Sequence, residues 1–252
     1  MKRLLHAGLF LVGLSLVSSA HAGLTPVYAD TNTLYEGAIG YTSGPTIMSN
    51  LYGVGNYVRV QDTGPVNDQV WGYADASLKA MITVKARYTE SVSVFGVYPN
   101  PSSKSNMINL AKIKGFGLAP TFSNVNSLYA SNINSTSFMI QGSGGSPPAI
   151  YQPFALAFRN LDTGISYSSV QNLNSDPNGQ LDHVVTFLIT GGANKGAYVV
   201  AYEDVSGCSS FNDAVIQLNG LTPVPEPTSF AIAGIGSLGF ALRVWLSRKR
   251  TC

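Results

Sequence analysis

Charge is scarce in this 252-residue chain, where Asp, Glu, Lys and Arg together make up 11%. That excludes a chain held disordered by its own charge, and a long solvated helix or coiled coil with it. Cysteine is scarcer still, at two residues, Cys208 and Cys252. Histidine numbers three, of which His6 and His21 lie in the first 22 residues, so His183 stands alone in the rest. A histidine zinc site wants several His or Cys ligands, and the middle of the chain offers one of each. No Gly-x-Ser-x-Gly elbow and no His-Glu-x-x-His helix occurs, so neither serine hydrolase nor zinc peptidase chemistry is written here. Long apolar runs are missing from the middle and confined to the two ends. The formal charge of +2 also belongs to the ends, which hold six of the 15 basic residues and one of the 13 acidic ones. The middle is therefore net acidic, and a role resting on phosphate neutralisation of a nucleic acid loses its support.

What is present begins with an address. Lys2 and Arg3 form a basic start, residues 9–17 a short apolar core, and Ala20-His21-Ala22 the small residues that signal peptidase needs. This reads as a cleaved signal peptide, residues 1–22, with Gly23 as the first mature residue. At the other end, residues 228–246 are apolar apart from Arg243, a length of about 28 Å as a helix, enough for a thin bilayer. Arg248, Lys249 and Arg250 follow at once and belong on the cytoplasmic side. The expected topology is body outside, basic tail inside. Cys208 and Cys252 then lie on opposite sides of a membrane and cannot pair, so no internal disulfide is expected. Within the apolar stretch, Gly234, Gly236 and Gly239 match a dinucleotide fingerprint. No strand precedes them and no acidic residue follows, so they read as small residues of a helix that packs closely.

Between the ends, residues 23–223 are rich in Gly, Pro, Asn, Ser, Thr and Tyr, the chemistry of strands and turns. Residues 81–87 and 91–98 read as a strand pair. Residues 183–190, 197–202 and 214–218 are further strands, the first two joined as a hairpin through residues 191–196. Weak helical spacing appears over residues 107–114. The expected fold is all-β, an antiparallel β-sandwich of jelly-roll type. Two smaller sandwiches divided near residues 142–148 are the alternative. Asn134-Ser135-Thr136 matches a glycosylation sequon and is read as a coincidence in a loop.

Acids are few, yet Asp182, Glu203, Asp204 and Asp213 gather at strand ends, with the Asn212 amide beside them. These are hard oxygen ligands of the kind Ca²⁺ prefers, and they define a tentative calcium site. Glu203 and Asp213 also form the carboxylate pair that a glycan hydrolase or lyase would need. His183, opening a strand, reads as a structural hydrogen-bonding residue.

The tail carries a resemblance. Val224-Pro225-Glu226-Pro227 is held extended by its prolines. The apolar stretch and the basic cluster follow in order. The whole closely resembles the PEP-CTERM sorting signal, departing from it in placing Arg243 inside the helix, where it can snorkel outward. The resemblance implies recognition and cleavage near the motif by an exosortase of the inner membrane, in a Gram-negative host that makes exopolysaccharide. A permanent single-pass anchor is the alternative fate. Residues 174–220 resemble a domain of unknown function found beside such tails, through Asp182-His183, Glu203-Asp204, Gly207 and Phe211-Asn212-Asp213. Val94-Phe95-Gly96-Val97-Tyr98 resembles an upstream strand of it. Cys208 and Ser210 stand where that family expects acids, which removes two carboxylates from any calcium site. The expectation is a non-enzymatic cell-surface or matrix protein of an exopolysaccharide biofilm, with an extracellular carbohydrate-active enzyme as the second reading.

Overall fold

The computed structural model describes residues 24–27, 46–62, 70–142, 150–170, 173–174, 183–204 and 211–224. The signal-peptide residues, with Ala20, Ala22 and Gly23, lie outside the described residues. So do Asp182, Gly207, Cys208 and Ser210, and the tail from Pro225 onward with Glu226, Pro227, Arg248, Lys249 and Arg250. Among the described residues no helix is long and apolar enough to cross a membrane. Leu24–Val224 form one compact unit.

Its strands make two sheets, and every pairing is antiparallel. The first sheet runs β1 (Leu24–Val27), β2 (Tyr57–Asp62), β13 (Val184–Ile189), β14 (Tyr198–Tyr202), β15 (Ala214–Asn219), β4 (Lys79–Arg87), β10 (Ser137–Gln141) and β9 (Ala130–Asn132), with β7 (Gly117–Leu118) beside β4. The second runs β16 (Leu221–Val224), β3 (Val70–Tyr73), β11 (Phe154–Asn160), β5 (Ser93–Tyr98), β6 (Ile108–Lys114) and β8 (Thr121–Ser123), with β12 (Ser166–Ser168) beside β11.

The two sheets share one core because their strands alternate. In β4, Ala80, Ile82 and Val84 are buried in this core while Met81 and Thr83 between them are partly open. Ile82, Val84, Phe138, Val200 and Ile216 of the first sheet cluster with Phe95, Leu110, Phe154, Leu156 and Phe158 of the second. Tyr202 stacks on Phe158 at 4.9 Å and meets Phe95 edge-on, binding sheet to sheet. The outer face of the first sheet is also covered. A short helix, α1 (Ile47–Tyr52), places Ile47 and Met48 against Phe187, Val199 and Val215. Thr46 caps it by accepting from the Ser49 N–H at 3.0 Å, and the Tyr52 hydroxyl donates to Gln217 Oε1 at 3.0 Å. Strands buried on both faces read as nearly continuous apolar runs, which is why β13, β14 and β15 stand out in the sequence.

The all-β antiparallel expectation holds, and so does the hairpin from β13 to β14, closed where the Gly196 N–H donates to the Ile189 carbonyl at 2.8 Å. Three readings need correction. Residues 81–87 and 91–98 are both strands, but β4 and β5 lie in different sheets, each with other partners. Residues 107–114 are not helical. They form β6, where a bulge leaves Leu110 unpaired between Phe95↔Ala111 and Gly96↔Asn109. The bulge makes Leu110 and Ala111 consecutive buried residues and breaks the alternation that marks a strand. No division into two sandwiches exists at 142–148, since residues on both sides of it enter the shared core. The sheet order contains the meander β13–β14–β15 and gives no support to the jelly-roll refinement.

The chain passes from the first sheet to the second through a single residue, Gly220, at φ +85°. A Cβ there would lie 2.5 Å from the Lys79 carbonyl oxygen, so both the backbone angle and the space demand glycine. Gly220→Ala is expected to cost about 2–4 kcal/mol and lower the melting temperature by about 5–10 °C. Gly192→Ala, at φ +71° with open space around it, costs about 1 kcal/mol and serves as the control. Equal melting curves for the two variants would contradict the corner's role.

Candidate functional site

The acids singled out in the sequence meet where β14 ends and β15 begins. Ladder bonds fix the backbone there: the Glu203 N–H donates to the His183 carbonyl at 3.0 Å and the Asp213 N–H to the Tyr202 carbonyl at 3.1 Å. Continuing the register Tyr202↔Ala214 by one step sets Glu203 opposite Asp213 on one face; strand alternation would send Asp204 to the other face, but the chain leaves regular geometry on both sides. Phe211 takes a left-handed φ of +46°, and its N–H donates back to Glu203 Oε2 at 3.1 Å. The Asp204 N–H donates to Asp213 Oδ2 at 2.6 Å. Glu203, Asp204 and Asp213 consequently each bring an oxygen within 4.8 Å of the others. They are 1%, 3% and 5% exposed.

The cluster also joins the sheets. Asn160, the last residue of β11 in the second sheet, donates its amide N–H to Asp204 Oδ2 at 2.9 Å. His183 stacks on Tyr167 of β12 with ring centroids 3.8 Å apart, and its Nδ1 lies 3.0 Å from the Glu203 carbonyl. Buried and bonded in this way, His183 takes the structural place expected of it. Arg87 is the nearby cation whose charge acts on Asp204 and Asp213. Its guanidinium donates to the carbonyls of Gly115 and Ser91 rather than sitting among the acids. Asn212 is buried, and its carbonyl accepts from the Tyr88 N–H at 2.9 Å.

Carboxyl groups this close and this dry cannot all carry charge without a cation among them. Burial, followed by the neighbouring Glu203 and Asp204, pushes the Asp213 carboxyl up to about 10. Burial also raises Asp204, with Glu203 adding to it and the Asn160 and Arg87 contacts opposing. Among the described residues, Asp204 Oδ1 is buried with no hydrogen-bond partner. The site can therefore hold protons shared among the acids, or a hard divalent cation taking Glu203, Asp204 and Asp213 as ligands. Asn160 and Arg87 escaped the sequence reading. Asn160 precedes Asp204 by 44 positions, and nothing local marks either residue as part of an acid cluster.

A second feature lies at the turn end of the second sheet. A groove of about 560 Å³ is lined by Pro99, Met107 and Tyr129 with the amides of Asn106, Asn109 and Asn126. Asn126 builds its wall, donating through Nδ2 to the Asn109 carbonyl at 2.9 Å and through its N–H to the Leu110 carbonyl at 2.8 Å. Among the described residues, no charged side chain lines it.

Export and sorting are set by the tail, and the comparisons speak to that part of the chain. The family model of the PEP-CTERM protein-sorting motif matches residues 223–249. No curated protein and no solved structure matches the chain. The chain carries the address of an exported protein sorted by an exosortase, and the matched segment starts at Pro223, inside β16.

Raised folded-state carboxyl pKa values mean that protons stabilise the fold. Without metal, the contribution is fully present below the unfolded value of about 4 and is lost as pH rises toward Asp213's value of about 10. In EDTA, the protein is expected to melt about 5 °C or more lower at pH 8 than at pH 5. Asp213→Asn should remove most of that difference. Identical pH slopes for the two proteins would refute the assignment.

Proposed function

We propose that this is a non-enzymatic cell-surface or matrix protein, held in the exopolysaccharide of a biofilm after processing at both ends. The observation that carries the reading is the sorting motif joined without a linker to a folded all-β domain. Signal peptidase cuts between Ala22 and Gly23, and exosortase cuts near Pro225–Pro227, with the inner membrane as a transient stop. The uncharged groove with Tyr129 and its three amides supports association with a polyhydroxylated polymer, since aromatic faces and amides suit sugar rings and hydroxyls.

Calcium belongs to the same reading. Glu203, Asp204 and Asp213 are the ligands from this chain that suit it, and Asn160 holds the orientation of Asp204. Of the remaining members of the expected set, Asn212 is buried at the entrance to β15, and Asp182 lies outside the described residues. The carbohydrate-active alternative would use Glu203 and Asp213. Their burial favours the structural reading, because a glycosidase pair needs an open cleft between its carboxyls.

Intact mass of the protein recovered from the surface and medium of its host tests the processing. The expected species begins at Gly23 and ends near residues 225–227. A species ending at Cys252 in the inner-membrane fraction would establish the permanent anchor instead. The same material is expected to be retained by the host's own polysaccharide, and Tyr129→Ala to release it. No retention, where a known lectin is retained, would sink the matrix claim.

A further inference from the structure

The second sheet is one-sided in charge. Its seven strands carry three cations, Lys112, Lys114 and Arg159, and no acid. Register places all three on the outer face. Phe95, Ile113 and Phe158 enter the shared core, so their strand neighbours Val94, Lys112, Lys114 and Arg159 point away from it. Val94 pairs with Arg159 on one side and with Lys112 on the other. These two cations therefore stand in one row across the face, two strand spacings or about 10 Å apart. Both side chains are partly exposed. Among the described residues, Arg159 Nε is buried with no hydrogen-bond partner. Asp162, past the end of β11, accepts from the Val92 N–H at 2.9 Å. That contact lies at the end of β5 away from Pro99 and the groove.

The bulge in β6 joins this row to the groove. In regular alternation Asn109 and Lys112, three positions apart, would face opposite sides. Here Leu110 and Ala111 both enter the core, and Asn109 pairs with Gly96 as Lys112 pairs with Val94. Asn109 and Lys112 thus share the outer face, one row or about 7 Å apart. Asn109 also lines the groove, with Met107, Asn126 and Tyr129. We propose that groove and cation row are one site, and that the polymer it takes is an acidic polysaccharide. The ring face and hydroxyls of one sugar suit Tyr129 and the amides. The acidic groups further along the polymer then reach Lys112 and Arg159, whose ammonium and guanidinium donate to carboxylates. Composition conceals this surface, because the middle of the chain is net acidic while three of its acids, Glu203, Asp204 and Asp213, are buried. The proposal rests on the exopolysaccharide reading above and adds the charge class of the polymer.

Equilibrium binding of the mature protein to immobilised polygalacturonate, a polymer of acidic sugars, and to dextran, a neutral one, tests this. Polygalacturonate is expected to bind more tightly than dextran and to weaken as NaCl is added. Lys112→Gln combined with Arg159→Gln should lower its affinity about fivefold, the effect of two partly exposed ion pairs. Lys79→Gln combined with Lys195→Gln removes the same charge from exposed positions elsewhere and should leave the affinity unchanged. Equal melting temperatures of the three proteins exclude a folding defect. Dextran bound as tightly as polygalacturonate or more so, or the same affinity change in both double variants, would overturn the acidic site while leaving the polysaccharide reading intact. No binding to either probe or to the host's own polysaccharide would overturn that reading and this proposal with it.

Discussion

Taking three carboxyl groups out of water within 4.8 Å of one another is costly, and one end of the sandwich is organised around it. Ionised and uncompensated, such groups would repel one another and lose their hydration. The fold meets this with two backbone N–H donors, from Asp204 and Phe211, and with the Asn160 amide reaching across from the other sheet. What these leave unmet is met by protons or by a cation. Because Asn160 and Tyr167 belong to the second sheet and the acids to the first, the same contacts that settle the acids also close the sheets at that end. The aromatic seam of Tyr202, Phe158 and Phe95 lies next to it in sequence and joins the same two sheets.

This choice fits an exported chain. Outside the cell, pH and divalent cations vary, and no internal disulfide is expected from the placement of the two cysteines. A buried cluster of carboxyls that share protons, or take up a cation, responds to both. At the other end of the same hairpin, the one-residue corner at Gly220 leads into β16 and from there without interruption into the sorting motif. The domain's last strand and its processing signal are thus one piece of chain.

Much of this was legible. Strands β13, β14 and β15 are buried on both faces, so they are apolar apart from Thr186, Gln217 and the terminal Asn219, and glycines mark the hairpin between the first two. The acids Glu203, Asp204 and Asp213 were legible because carboxylates are rare in this chain and cluster near strand ends. Pairing was not. β4 and β5 are neighbours in sequence and have strand chemistry, yet which sheet each joins depends on partners far along the chain, such as β15 and β11. β6 was misread because the bulge at Leu110 imitates helical spacing. Asn160 reaches the site only through the closure of two sheets, and Arg87 only through the pairing of β4 with the distant β15, which no local pattern encodes.

The most direct test is calorimetric titration of Ca²⁺ into the EDTA-stripped mature protein at pH 7.5, with Asp213→Asn beside it. One saturable site is expected in the unaltered protein, accompanied by a rise in melting temperature, and neither effect in the variant. No heat and no shift in the unaltered protein would contradict the account, leaving Glu203, Asp204 and Asp213 as a proton-sharing cluster alone.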